Sequence, residues 1–161
     1  MSYDCFIKLA GVEGESKAAG YENSIEVFSF SFGASNPVSR TGAGGLGAGK
    51  VDISAVNFMK KTDKSTPKLF QACCDGQHFD KCSLTMRKAG GKQVEFFELA
   101  LKKVYIESYQ VSGSGGGDDT PSESISMAFE SLEVNYWPQD AAGGKGGLIA
   151  AGWDITKVAK Q

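Results

Sequence analysis

Histidine is almost absent from this sequence: His78 is the only one in 161 residues. With one imidazole, and no serine or cysteine on a nucleophile turn, no Ser–His or Cys–His catalytic pair stands out. The four cysteines, Cys5, Cys73, Cys74 and Cys82, show no CxxC spacing. Zinc and dithiol redox sites therefore lack their usual ligand pattern. All four read as buried, reduced thiols that pack as small apolar residues, which fits folding in a reducing cytoplasm. No run approaches the roughly 18 apolar residues of a membrane-spanning helix, so membrane insertion is not expected. The start, MSYDCFIKLAGVEGES, has no basic segment followed by an apolar one, so no secretory signal is expected either. A net charge of −2 gives no electrostatic reason for nucleic acid or anionic lipid as a partner.

What is present is a chain of strands. The hydrophobic fraction of 41% is enough for one domain over residues 1–161 to fold without metals or disulfides. Side chains alternate with period two in a first strand, Tyr3–Leu9, with Cys5, Ile7 and Leu9 on one face and Phe6 on the other. Gly11 to Gly20 is polar and turn-rich. Ile25–Phe32 alternates again: Phe28, Phe30 and Phe32 are expected in the core, with Val27, Ser29 and Ser31 opposite. Lys50–Phe58 is a third strand. Then Ser65 or Thr66 can cap a helix, Pro67 suits its first position, Leu69, Phe70 and Cys73 make its apolar stripe, and Gly76 stops it. His78–Lys88 turns Cys82, Leu84 and Met86 inward, leaving Phe79, Lys81, Ser83, Thr85 and Arg87 on the other phase. Gly90-Gly91 is a hairpin signal. Gln93–Val111 is long enough to bend, and Lys102-Lys103 is the expected place. In Ser124–Tyr136 the apolar phase slips near Glu130-Ser131, as a β-bulge would produce. A tail over 138–161 carries a glycine-rich link, then Leu148–Ile155 with Trp153 as its anchor. Long antiparallel strands with one short helix predict a barrel or tightly packed sandwich.

Between the second and third strands lies a loop over 33–49, GASNPVSRTGAGGLGAG. Connections in compact domains usually run about 4–6 residues, so this one needs a reason. It contains GxGxxG at Gly42, Gly44 and Gly47, and GxxxxGK ending at Lys50. Both motifs bind phosphate through a helix N-terminus that follows the glycines. Here VDISAVNF follows, which reads as a strand, and Val51 stands where magnesium would need Ser or Thr. Nucleotide binding is therefore not expected. His78 reads as a polar strand start and Asp118-Asp119 as a solvated loop, since calcium needs an ordered set of oxygen ligands. Glu95, Glu98 and Glu107 alternate with core residues, which suits outer faces better than paired catalytic carboxylates. No cofactor, metal or active site is expected. A binding or structural protein remains, with extensions at 33–49, 112–123 and 138–147.

Six stretches carry a resemblance: YDCFIKLAGVEGES; IEVFSFSFGAS; VDISAVNFMKKTDKSTPKLFQACCDGQHFDKCSLTMRKAGG; VEFFELALKKVYIESYQVSG; ESISMAFESLEVNYW; and GWDITK. Together they resemble the haemolysin-coregulated proteins (Hcp) of type VI secretion systems, in order and over nearly the whole chain. The resemblance implies a mainly β fold: a two-sheet antiparallel β-barrel flanked by one short α-helix, assembling as a hexameric ring. It implies rings stacked into a tube inside a contractile sheath, capped by a spike tip protein, with small effector proteins carried in the channel. It also implies export after folding, without a signal peptide.

Mapped onto this chain, Ser29 and Ser31 become candidates for the channel wall, and Lys81, Ser83, Thr85 and Arg87 weaker ones. The 33–49 loop becomes a contact between rings, with Val38, Arg40, Leu46 and Lys50 as its candidate residues. The rival reading from the residues alone is a small β-barrel carbohydrate-binding or adhesin module.

Overall fold

The computed structural model describes residues 3–40, 46–89, 93–117 and 120–161. Its principal strands are β1 (Tyr3–Leu9), β2 (Ile25–Val27), β3 (Ser29–Ser31), β8 (Val56–Lys61), β9 (His78–Lys88), β10 (Glu95–Ser112), β11 (Ser122–Tyr136) and β12 (Ile149–Asp154). Short pieces are β4 (Ala34–Ser35), β5 (Val38–Arg40), β6 (Leu46–Ala48), β7 (Asp52–Ile53) and β13 (Ala159–Lys160). The one helix among the described residues is α1 (Thr66–Asp75).

All pairings are antiparallel, and they close. β11 pairs with β10, β10 with β9, β9 with β1 and β1 with β2. Past Phe28 the same stretch of chain, now β3, pairs with β8, and β8 returns to β11. Closure removes the exposed edges that an open sheet would have. The expected barrel with one flanking helix is thus what the chain forms. β12 and β13 extend the sheet beside Ser131–Tyr136, and Trp153 packs against the core as expected.

The junction at Phe28 corrects the expected alternation. Val27 is buried in register with Cys5, whereas Phe28 is 55% exposed. The strand breaks there because it changes partner, and its inward phase changes with it. Beyond the break Phe30 and Phe32 pack against the core, and Ser29 and Ser31 face outward.

A second phase change runs across three strands together. Phe79, Val104 and Phe129 form one buried row and Cys82, Leu101 and Leu132 another. In each strand the two rows are three residues apart. At Lys102-Lys103, the expected place of a bend, Lys103 has a φ of 52° while β10 continues as one strand. The bulge expected at Glu130-Ser131 is absent: register is continuous there, and the shift in the β10–β11 ladder lies between Ile106 and Ser108.

Helix α1 begins at Thr66, so Pro67 takes its second position rather than the expected first, and it stops at Gly76, whose φ of 73° suits a residue without Cβ. Its buried residues are Leu69 and Ala72. Phe70, expected in the stripe, is exposed and meets Tyr109 edge-on at 5.8 Å. The turn-rich segment after β1 leads to Tyr21, which is buried and stacks on Phe6 at 4.6 Å. Two further expectations change. The third strand is not Lys50–Phe58: the chain forms the short β7 and then β8, with Val56, Phe58 and Lys60 inward. The 33–49 segment is a β-hairpin arm, with β4 paired to β7 and β5 to β6. At Gly49 a Cβ would lie 2.8 Å from the Pro37 carbonyl oxygen, so the arm's narrow base requires glycine. Its tip, residues 41–45, lies outside the described residues, as do the Gly90-Gly91 turn and Asp118-Asp119.

Candidate functional site

Residues directly opposite in an antiparallel pair share a face, so the register defines the barrel's outer surface around Ser29 and Ser31. One row runs Ser31, Asn57, Ser126 and Ser108 across β3, β8, β11 and β10. The next runs Ser29, Met59, Ser124 and Gln110. Seven of these eight side chains are exposed, and half-buried Ser126 donates its hydroxyl to Asn57 Oδ1. None is ionisable. Charge appears only at the margins. Lys61 lies 5.8 Å over the Phe28 ring beside one row, and Glu107 occupies the register shift next to Ser108. A Lys103–Glu130 ion pair of 2.9 Å lies further along β10 and β11.

Directly behind this face the same strands carry buried charge. Lys60 and Glu123 are both fully buried and pair at 2.7 Å. Lys60 Nζ also reaches Asp63 Oδ1 at 2.9 Å and Thr66 Oγ1 at 3.2 Å. Thr66 donates to Glu123 Oε2 at 2.6 Å, and the Ser65 backbone N–H donates to Asp63 at 2.8 Å. Asp63, rather than the expected Ser65 or Thr66 side chain, thus holds the N-terminal turn of α1, and the network ties that turn to β8 and β11. Burial pushes the Tyr109 hydroxyl up to about 12, with the Glu123 charge and hydrogen bond acting in the same direction. The network's partners tie α1 to the two strands that carry the Asn57–Ser126 and Met59–Ser124 pairs.

No group of His, Cys, Asp and Glu among the described residues is placed to hold a metal. His78 is exposed beside Asp80 at the start of β9. The cysteines divide. Burial pushes the thiols of Cys5 and Cys82 up to about 12, whereas Cys73 is half-buried and Cys74 exposed, against the expectation of four buried thiols.

The family model described as "Type VI secretion system effector, Hcp" matches residues 6–136. The chain belongs to the Hcp family. It is 43% identical over 157 residues to Protein hcp1 of Pseudomonas aeruginosa, covering 96% of each chain. A solved type six secretion system protein superposes with a TM-score of 0.94 at 34% identity, over 99% of this chain and all of that one. Hcp1 of Salmonella typhimurium superposes with a TM-score of 0.81 at 27% identity, over the full length of both.

Within this Hcp fold the remaining sequence candidates separate. Lys81 is exposed and Ser83 half-buried on β9, but they lie opposite Lys102 and Ala100 of β10, away from Ser108 and Gln110 where the rows end. Thr85 and Arg87 are 5% and 6% exposed. Arg87 lies 5.1 Å and 5.0 Å from the Phe6 and Tyr21 rings and donates to the Ala19 carbonyl at 2.9 Å. Both residues are covered by the segment after β1, whose packing the alternation of β9 does not disclose. In the arm Val38 and Lys50 are exposed, and Arg40 and Leu46 are opposite each other in the β5–β6 ladder.

The sequence reading missed most of the polar face: Asn57, Met59, Ser108, Gln110, Ser124 and Ser126. A signal was present, since ESISMAFE alternates serine with apolar residues through Ser124 and Ser126. Only pairing places that alternation beside Ser31.

Proposed function

We propose that this protein is a non-enzymatic tube component. Six copies form a ring with a central channel, rings stack within the contractile sheath behind the spike tip, and the folded protein is exported when the sheath contracts. Small effector proteins occupy the channel beforehand and are protected there. The observation that carries this reading is the outer face built from the Ser29 and Ser31 rows, on a chain that belongs to the Hcp family. Hydroxyl and amide groups both donate and accept hydrogen bonds, so such a wall can hold different cargoes without exposing apolar surface that would unfold them.

The first test is mass. Size-exclusion chromatography with light scattering should give six times the 17.0 kDa chain mass, and electron micrographs should show rings with a central hole. A monomer would end the proposal. Ser31→Gln should then leave the ring intact and reduce effector retention; unchanged co-purification would remove Ser31 from the wall. For the arm, deleting residues 41–47 should spare the ring and prevent tubes. Normal tubes from that deletion would show that the arm does not join rings.

A further inference from the structure

The proposed channel face has a property that its location alone does not require. Charged residues make up 22% of the chain, yet two successive rows across four strands contain none. Of the charges on the two central strands, Lys60 and Glu123 turn inward and are fully buried, while Lys61 is exposed in the row beyond Met59 and Ser124. The exposed apolar contribution to the rows is confined to Met59, at 39% exposure.

We infer, resting on the channel reading, that the cargo surface seated on these rows is uncharged and hydrogen-bonding, and that its retention is independent of ionic strength. Contacts made by the uncharged side chains of the rows themselves have no charge to be screened, whereas contacts between exposed charges weaken as salt rises. Each hydrogen bond exchanged with water contributes little. Repetition of the same rows around a ring multiplies small contributions through effective concentration. The neutral face thereby selects against cargo that presents a charged surface to it, because burying an unpaired charge is costly.

The test uses the full-length protein in its ring form and three fluorescent peptides of equal length, followed by anisotropy. One peptide is rich in Ser, Asn and Gln without charge, one is rich in Lys, and one is rich in Glu. The neutral peptide should bind more tightly than either charged peptide. Its affinity should change by less than about twofold between about 0.1 M and 1 M sodium chloride, where the screening length falls from about 10 Å to about 3 Å. Met59→Lys should transfer the preference to the Glu-rich peptide and introduce salt dependence. Tighter binding of a charged peptide to the unaltered protein, no binding of the neutral peptide, or no change of preference with Met59→Lys would each overturn the inference. Failure of the channel reading is distinguishable: light scattering would then give a monomer and micrographs no central hole, whatever the three peptides do.

Discussion

Strands β8 and β11 have two faces that oppose the usual distribution of charge. Outward they present Asn57, Met59, Ser124 and Ser126; inward they bury Val56, Phe58, Ile125 and Met127, and also Lys60 and Glu123. Lysine and glutamate are seldom fully buried unless paired, and here they are paired and further bonded to Asp63 and Thr66. Alternation along a strand therefore identifies which residues share a face, but not which face meets solvent. The inward charge fastens a helix, and the two outward rows are left without charge, Lys61 standing exposed in the row beyond them.

If that contrast is real, equally small changes on the two faces should differ greatly. Glu123→Ala leaves Lys60 buried without its closest partner and should cost about 3–5 kcal/mol, the usual penalty for breaking a buried pair. Ser124→Ala, one residue away on the outer face, should stay within about 0.5 kcal/mol. Urea unfolding midpoints measure both, and similar midpoints would abolish the distinction. The pair can also be removed together. Lys60→Met combined with Glu123→Leu should recover most of the single-variant loss, because replacing a buried ion pair by apolar residues is often neutral or stabilising by roughly 1–4 kcal/mol. A double variant as unstable as the sum of the singles would mean that the helix contacts, rather than the ion pair, carry the stability.

The next effect is a pH dependence on the buried side alone. Cys5 and Cys82 are raised from 9.0 to about 12 by burial. Tyr109 is raised from 10.0 to about 12 by burial and then by Glu123. Above pH 9 the unfolded chain releases these protons before the folded one does. The folded state then binds more protons, so stability falls as pH rises. Stability should be insensitive to these groups below pH 9 and decline from there towards pH 12. Tyr109→Phe should remove the tyrosine share of the decline, which starts near pH 10. Equilibrium unfolding at a series of pH values checks the slope, and an unchanged slope in Tyr109→Phe would show that burial and Glu123 do not hold its proton in the folded state.

Much of the fold was legible because period-two alternation and helix stop signals are local. The first strand, the long strands after the helix, the helix with Pro67 in its first turn and its stop at Gly76 all followed from neighbours in sequence. What escaped reading depends on distant partners. Arg87 reads as an exposed strand residue until Tyr21, from the segment after β1, stacks beside it. Nothing local in the sequence marks Lys60 and Glu123 as buried; that follows only when β8 pairs with β11 and α1 packs beside them. The arm reads as a loop because β5 and β6 are three residues each, too short to show a period. Of the candidate wall, Ser29 and Ser31 were accessible because they sit in one strand with Phe30 and Phe32. Their neighbours in the two rows come from three other strands.

The smallest expected effect concerns Phe28, where the sequence reading and the structure disagree. Three aromatics at period two imply equal roles, yet Phe28 is 55% exposed while Phe30 packs against the core. The backbone explains the difference: β1 holds the chain up to Val27, β8 holds it from Ser29, and the Phe28 backbone N–H itself bonds the Met59 carbonyl at 3.0 Å. That bond needs no side chain. Phe28→Ser should therefore shift stability by no more than about 0.5 kcal/mol, as substitutions away from buried features usually do. Phe30→Ser should cost more, because it removes apolar surface packed against the core, at about 25 cal/mol for each Å² returned to water. Thermal melting of the two variants measures the difference. Equal losses would mean that Phe28 is covered in the assembled ring, and repeating the melt under conditions that dissociate the ring would separate that contact from the fold of the single chain.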